Sequence, residues 1–163
     1  MIIFKHFPAV TCQDVSEGYL PLSVGIHKCF FLMRDQGRDW AASQANCAQV
    51  WAGKDGKMAY IENGATMHLV ETWLREAFGG LPHNGQFWIG LLQTDTSVEP
   101  AGGWNWVNAD HSVNHTAKPL WLSGEPDNDH SQNCGDIYVR GGELGNDDDY
   151  CDHRYWSICM CSI

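Results

Sequence analysis

The sequence predicts an α+β domain, and three observations lead to this prediction. Two segments with apolar residues at helical spacing lie in the first half of the 163-residue chain. Short segments rich in β-branched and aromatic residues follow, and they surround one long polar segment. This order is typical of an α+β fold, and the length suits one domain with a substantial core.

The first strand and the first helix are predicted from composition and spacing. Residues 26–33 are rich in β-branched and aromatic side chains, which favours a strand. The helix is expected over 39–51, with Asp39 as its N-cap. The residues expected on its inner face are Trp40, Ala41, Ala45, Cys47 and Ala48.

A second helix is predicted over 64–78, because its apolar residues recur at helical spacing and Gly79-Gly80 would end it. Further strands are expected at 58–61, 86–92, 104–107, 136–140 and 154–159. Residues 108–133 are polar and read as one long loop. A loop of that length within a compact domain is usually functional or disordered.

Charge and composition limit the classes of partner. The net charge of −10 argues against nucleic acid and anionic membranes, and no apolar stretch is long enough for membrane insertion. Acidic runs at 127–129 and 147–149 favour a divalent cation. A solvated acidic loop is the alternative interpretation of such runs.

The cysteine content predicts a secreted, extracellular protein stabilised by disulfides. Six cysteines alone allow fifteen pairings, and the odd number here leaves one cysteine over. A zinc site of Cys134, Cys151, His153 and Cys159 is the rival interpretation, although it lacks close CxxC pairs. The seven residues are Cys12, Cys29, Cys47, Cys134, Cys151, Cys159 and Cys161.

An ordered set of motifs resembles the C-type lectin-like domain family. Trp88-Ile89-Gly90-Leu91 matches the family's WIGL core strand, and Trp104-Asn105-Trp106 resembles its next strand. Glu125-Pro126-Asp127 stands where the family has EPN or QPD, and Cys134, Cys151 and Ile158-Cys159 complete the pattern. The resemblance implies a domain over 12–163, after an N-terminal extension over 1–11.

The resemblance also implies the fold details. Two helices would flank small antiparallel sheets, with a long loop that binds calcium and sugar. The implied disulfides are Cys12–Cys29, the bond typical of the family's long form, Cys47–Cys159 and Cys134–Cys151. Cys161 would then pair with a second chain in a homodimer or higher assembly, remain a free thiol, or replace Cys159.

The calcium ligands implied by the resemblance lie in the long loop and before Cys151. Glu125 and Asp127 would flank a cis peptide bond at Pro126, and Gln132 would offer a carbonyl oxygen where the family often has Glu. The family's Trp-Asn-Asp spacing gives Asp147 and Asp148, whereas one inserted residue gives Asn146 and Asp147. The chemistry favours the second pair, because an Asn can bind calcium and also donate to a sugar hydroxyl.

The resemblance therefore implies a calcium-dependent lectin whose partners are glycans, with Glu125, Asp127 and Asn146 touching the sugar. Glu125-Pro126-Asp127 is neither EPN nor QPD, and we expect mannose, glucose or fucose. Asn128 stands where some members have an Asp ligand for an auxiliary ion, which argues against a second site. A structural or self-assembling extracellular protein on the same fold is the alternative function.

An enzyme is not expected, because the chain has no G-x-S-x-G, no H-E-x-x-H and no phosphate loop. Asn114-His115-Thr116 is an N-glycosylation sequon and predicts a glycoprotein with Asn114 in a surface loop.

Overall fold

A computed structural model describes residues 8–163, so residues 1–7 of the expected N-terminal extension lie outside the described residues. The helices are α1 (Trp40–Val50) and α2 (Gly64–Phe78). The strands are β1 (Leu20–Val24), β2 (Lys28–Arg38), β3 (Lys57–Met58), β4 (Gln86–Gln93), β5 (Trp104–Val107), β6 (Val113–Thr116), β7 (Cys134–Arg140), β8 (Glu143–Asp149) and β9 (Tyr155–Ser162). The predicted α+β class is confirmed.

The strands pair into one mixed network. The main order is β1-β2-β9-β4-β5-β6, with β3 on β9 and a β7–β8 hairpin attached to β4. All pairs are antiparallel except β4 with β9. The hairpin places the acidic end of β8 beside the long segment that precedes β7.

Both predicted helices form, and both begin at a side-chain cap. Asp39 accepts a hydrogen bond from the Ala42 amide at 2.8 Å, and Asn63 accepts one from Thr66 at 2.9 Å. Helix α2 ends at Gly79, whose φ of 69° suits a residue without a Cβ. Within residues 8–163, neither helix is long and apolar enough to cross a membrane.

The buried face of α1 differs from the prediction. Ala41 and Ala45 are exposed, whereas Ser43 and Gln44 are buried. Gln44 is tolerated inside because its Oε1 accepts from the Met58 amide at 2.6 Å. Its Nε2 donates to the carbonyl of Asn108 at 3.1 Å. A buried polar side chain with both ends paired avoids the cost of lost hydration.

Gly90 shows why the WIGL strand needs a glycine. Its flanking residues Ile89 and Leu91 are fully buried. A Cβ on Gly90 would lie 2.8 Å from the Met58 carbonyl oxygen and 3.0 Å from the Tyr60 ring. The close approach of β3 to β4 therefore depends on the absence of a side chain.

Three disulfides hold the chain, and all three implied pairings are confirmed. They are Cys12–Cys29, Cys47–Cys159 and Cys134–Cys151. The zinc alternative is excluded, because Cys134, Cys151 and Cys159 are all oxidised in these bonds. Cys161 does not replace Cys159.

Cys161 is a free and fully buried thiol. It lies directly opposite Cys29 in the pairing of β2 with β9. A disulfide to a second chain would require the end of β9 to leave the core.

Candidate functional site

The segment that precedes β7 is anchored to β8 through Asn146. The Asn146 Oδ1 accepts from the Leu120 amide at 2.7 Å, and the Asn146 backbone N–H donates to the Leu120 carbonyl at 2.8 Å. Its Nδ2 donates to the Asp136 carbonyl at 3.3 Å. Both ends of this fully buried amide are thus occupied by backbone groups. The structure does not bring the Asn146 side chain to the cluster described next.

Three carboxylates meet where this segment turns. Oxygen atoms of Glu125, Asp127 and Asp148 all lie within 4.8 Å of one another. The Glu125–Pro126 peptide bond is cis, as the resemblance implied. Asp127 is exposed and Asp148 is buried, so the group forms a surface that is open on one side. We call Glu125, Asp127 and Asp148 the carboxylate cluster.

Backbone amides fix Asp148 beneath the loop. Its Oδ1 accepts from the Asp127 amide at 3.0 Å, and its Oδ2 accepts from the Asn128 amide at 2.8 Å. Asn128 has a φ of 49°, a conformation that Asn tolerates better than most residues. The loop and the strand therefore position each other.

Asp147 lies beside the cluster, on the neighbouring rung of β8. It stands opposite Asp136 in the β7–β8 pairing and is 8% exposed. Burial, followed by the charges of Glu125 and Asp148, raises the pKa of Asp147 to about 8. Burial likewise raises the pKa of Asp148 to about 6, against the hydrogen bonds from Asn128 and Asp127.

The Gln132 side chain is hydrogen-bonded to Asp129 and Asp149 rather than to a residue of the cluster. Its Oε1 accepts from the Asp129 amide at 3.0 Å, and its Nε2 lies 3.4 Å from the Asp149 Oδ1. Its carbonyl is therefore engaged with the loop backbone in this conformation.

Several buried polar side chains are hydrogen-bonded to one another next to the β7–β8 hairpin. Gln86 Nε2 donates to both Asp136 and Asp149, each at 3.0 Å, and the Tyr155 hydroxyl donates to Asp149 at 2.6 Å. Asp136 is fully buried, and its second oxygen has no partner among the described residues. Burial raises the pKa of Asp136 well above its ordinary value, and the charge of Asp147 adds to this effect.

Arg140 is a functional candidate that the sequence reasoning missed. Its Nη1 donates to Glu125 Oε1 at 2.6 Å, and its Nη2 donates to the Ser123 carbonyl at 2.7 Å. The side chain of Glu125 is 8% exposed, whereas that of Arg140 is 40% exposed. The signal available in the sequence was a single cation between Cys134 and the acidic run at 147–149.

The cluster has the chemistry of a cation site. Carboxylates this close repel one another, which a bound cation would relieve. Hard oxygen donors are the ligands that calcium prefers. The cluster fits such an ion, since all three residues offer carboxylate oxygens on a surface with one open side.

Asn114 lies apart from the cluster, on β6 rather than in a loop. It is exposed, and its Nδ2 donates to the Asn108 Oδ1 at 2.9 Å. Asn114 is at the surface, as expected. It lies in an edge strand, however, whereas residues 108–133 were predicted to form one loop.

Comparisons with known proteins agree on the fold. Residues 36–161 match the family model described as Lectin C-type domain. Similar solved structures include the C-type lectin domain of murine dendritic cell inhibitory receptor 2 in complex with N-glycan, at 20% identity and a TM-score of 0.65, covering 86% of this chain and 95% of that one. A search of curated proteins gave no match.

Two further structures carry the same fold under different descriptions. Human lithostathine has 17% identity and a TM-score of 0.66, with 88% of each chain covered. Herring type II antifreeze protein has 20% identity and a TM-score of 0.64, covering 86% of this chain and 95% of that one. At such identities the likeness concerns the fold alone.

Proposed function

Since this chain belongs to the C-type lectin domain family, we propose that it binds sugars in a calcium-dependent manner through Glu125, Asp127, Asp147 and Asp148. The carboxylate cluster is the observation that carries this proposal, because three acidic side chains converge within 4.8 Å at the surface. Asp147 is included because it adjoins Asp148 on β8 and is one of the two strand residues that the family's spacing from Cys151 implies as ligands.

Each side chain has a definable part in the proposed site. Asp148 is already oriented by two backbone amides, so little ordering is needed before it binds an ion. Glu125 and Asp127 reach the ion from either side of Pro126. Gln132 would need to release the Asp129 amide to offer its carbonyl oxygen. We leave Asn146 out of the ligand set, because both ends of its amide are paired with backbone groups.

A bound calcium ion supplies open coordination positions that neighbouring sugar hydroxyls can fill. The carboxylates of this chain would then accept hydrogen bonds from those same hydroxyls. A mannose-, glucose- or fucose-type sugar remains our proposal for the ligand class. The three disulfides support an extracellular, secreted location. We propose that the protein binds its ligand and does not catalyse a reaction.

The alternative function, a structural or self-assembling extracellular protein, has less support where it depends on Cys161. The thiol is fully buried and would have to become accessible before it could link two chains. The herring antifreeze protein shares the fold, so the fold does not by itself assign sugar binding.

The test combines calcium titration with glycan binding. Calorimetry should detect calcium binding to the wild type, and a glycan array should give signals with millimolar calcium that vanish with EDTA. Glu125→Gln and Asp148→Asn should each lose both signals, because each removes a negative ligand. Glu71→Gln, which changes a partly exposed carboxylate on α2 that pairs with Arg75, is the matched control and should retain both.

Either of two results would contradict the proposal. One is a folded wild type that binds no calcium at millimolar concentration. The other is glycan binding that survives both EDTA and the Glu125→Gln substitution.

A further inference from the structure

Arg140 is held rigidly at the edge of the carboxylate cluster. Its guanidinium contacts Glu125 and the Ser123 carbonyl, and its Cζ lies 5.8 Å from the centre of the Tyr138 ring. The Glu125 carboxylate, the Ser123 carbonyl and the face of the Tyr138 ring thus all contact the planar guanidinium. Its position is therefore defined before any ligand arrives.

Part of this guanidinium is left for a ligand. An arginine carries five N–H donors, and within residues 8–163 the Arg140 side chain uses two nitrogens for its two hydrogen bonds. The Arg140 side chain is 40% exposed and is bonded to Glu125, so its remaining N–H donors lie at the edge of the carboxylate cluster. Glu125 links them directly to the proposed ion site.

None of the four proposed calcium ligands supplies a side-chain hydrogen-bond donor when ionised. Glu125, Asp127, Asp147 and Asp148 are acceptors when ionised. The nearby amide of Asn146 is buried and paired, so it cannot donate to a sugar. Among the described residues, Arg140 is the side chain that donates a hydrogen bond to the carboxylate cluster. A sugar hydroxyl bound at the ion has oxygen lone pairs that the carboxylates cannot satisfy.

We propose that Arg140 donates hydrogen bonds to a hydroxyl of the bound sugar. This inference rests on the proposed function. The Arg140 Nη1 lies 2.6 Å from a carboxylate oxygen of Glu125, a proposed calcium ligand, and 40% of the Arg140 side chain is exposed. A sugar whose hydroxyls bind at the ion would therefore lie within reach of the remaining N–H donors of this guanidinium.

The experiment measures sugar affinity at calcium concentrations that saturate each variant. The probes are methyl α-mannopyranoside and methyl β-galactopyranoside. Arg140→Gln should bind the preferred neutral glycoside about 10- to 100-fold more weakly than the wild type, because a hydrogen bond from a charged donor is lost. Calcium affinity, measured separately by calorimetry, should be retained.

Arg75→Gln is the matched control. Arg75 pairs with Glu71 on α2 at 2.7 Å and is 50% exposed, so it resembles Arg140 in chemistry and exposure. Its substitution should leave sugar affinity unchanged. Arg140→Lys serves as the second variant if Arg140→Gln fails to fold. It keeps the charge but loses the planar fork, and it should also bind the glycoside more weakly.

The outcomes separate the two proposals. A wild type that binds neither glycoside at saturating calcium overturns the proposed function, and this inference with it. If Arg140→Gln binds the glycoside with wild-type affinity, this inference alone is overturned. Loss of calcium binding in Arg140→Gln also overturns it, because the role of Arg140 would then be limited to holding Glu125.

Discussion

Asn146, Asp147 and Asp148 follow one another on β8, yet their side chains have three different surroundings. Asn146 is fully buried and ties the loop to the strand through Leu120. Asp148 meets Glu125 and Asp127 in the carboxylate cluster. Asp147 stands opposite the buried Asp136. Asn146 therefore holds the loop against the strand, whereas Asp147 and Asp148 are the strand residues proposed to bind calcium.

The raised pKa values of Asp147 and Asp148 predict how stability depends on pH. Both values, about 8 and about 6, lie above the ordinary value of 3.8. Between about pH 4 and 8 the folded protein binds protons that the unfolded chain does not, so the free energy of unfolding falls as pH rises. In EDTA, we expect a higher melting temperature at pH 5.5 than at pH 8. Differential scanning calorimetry at both pH values measures this.

Calcium should oppose the fall in melting temperature with rising pH. The ion competes with protons for the same oxygens, so its stabilising effect should be larger at pH 8 than at pH 5.5. Asp148→Asn removes one of the titrating groups and should reduce both effects. A melting temperature in EDTA that increases with pH would contradict the prediction.

The sequence predicted which residues cluster better than it predicted their roles. Glu125 and Asp127 could be named because the proline between them marks a recognisable motif. The spacing from Cys151 allowed two assignments for the strand residues. Asn146 and Leu120, which are hydrogen-bonded, lie 26 positions apart in the sequence. No local sequence pattern predicts such a contact.

Among the elements, α1 shows most clearly how tertiary contacts override local patterns. An inner face of small apolar residues was expected, but Gln44 lies inside because Met58 and Asn108 supply partners. Strand β8 was missed because Glu-Leu-Gly-Asn-Asp-Asp-Asp has low strand propensity. All seven of its residues nevertheless pair with β7. The helix α2, with regular apolar spacing and glycine at its end, was predicted correctly.

Gln44 should be important for the joining of α1 to β3. We expect Gln44→Ala to lower the free energy of unfolding by about 1–3 kcal/mol, because the buried Met58 amide would lose its acceptor. Urea denaturation measures the change. Gln49→Ala, an exposed glutamine on the same helix, is the control and should have little effect. Equal effects of the two substitutions would contradict this role.

The whole molecule depends on disulfides that close loops of very different lengths. Cys47–Cys159 spans 112 residues and ties α1 to β9, whereas Cys12–Cys29 spans 17. These long-range links were predictable from the family resemblance and not from counting cysteines. Pairing depends on the whole topology, which several motifs in fixed order identified together.

Loop length predicts unequal contributions of these two bonds to stability. In the chain-entropy model, removing Cys47–Cys159 should cost about 1–2 kcal/mol more than removing Cys12–Cys29. Non-reducing calorimetry of the Cys47→Ala/Cys159→Ala and Cys12→Ala/Cys29→Ala variants compares them. Equal melting temperatures, or a greater loss in the second variant, would show that local packing outweighs loop length.

The buried Cys161 has a consequence for how the protein acquires its covalent structure. Because Cys161 faces Cys29 across two paired strands, Cys29 has two thiols within reach while the reduced chain oxidises. Bonding to Cys161 would leave Cys12 unpaired and release the N-terminal segment from the sheet. Thiol–disulfide exchange can interconvert the two isomers only while one of the three cysteines remains a thiolate. Once β9 is packed, burial of Cys161 raises the pKa of its thiol and disfavours that thiolate, so the completed fold protects its own pairing from rearrangement.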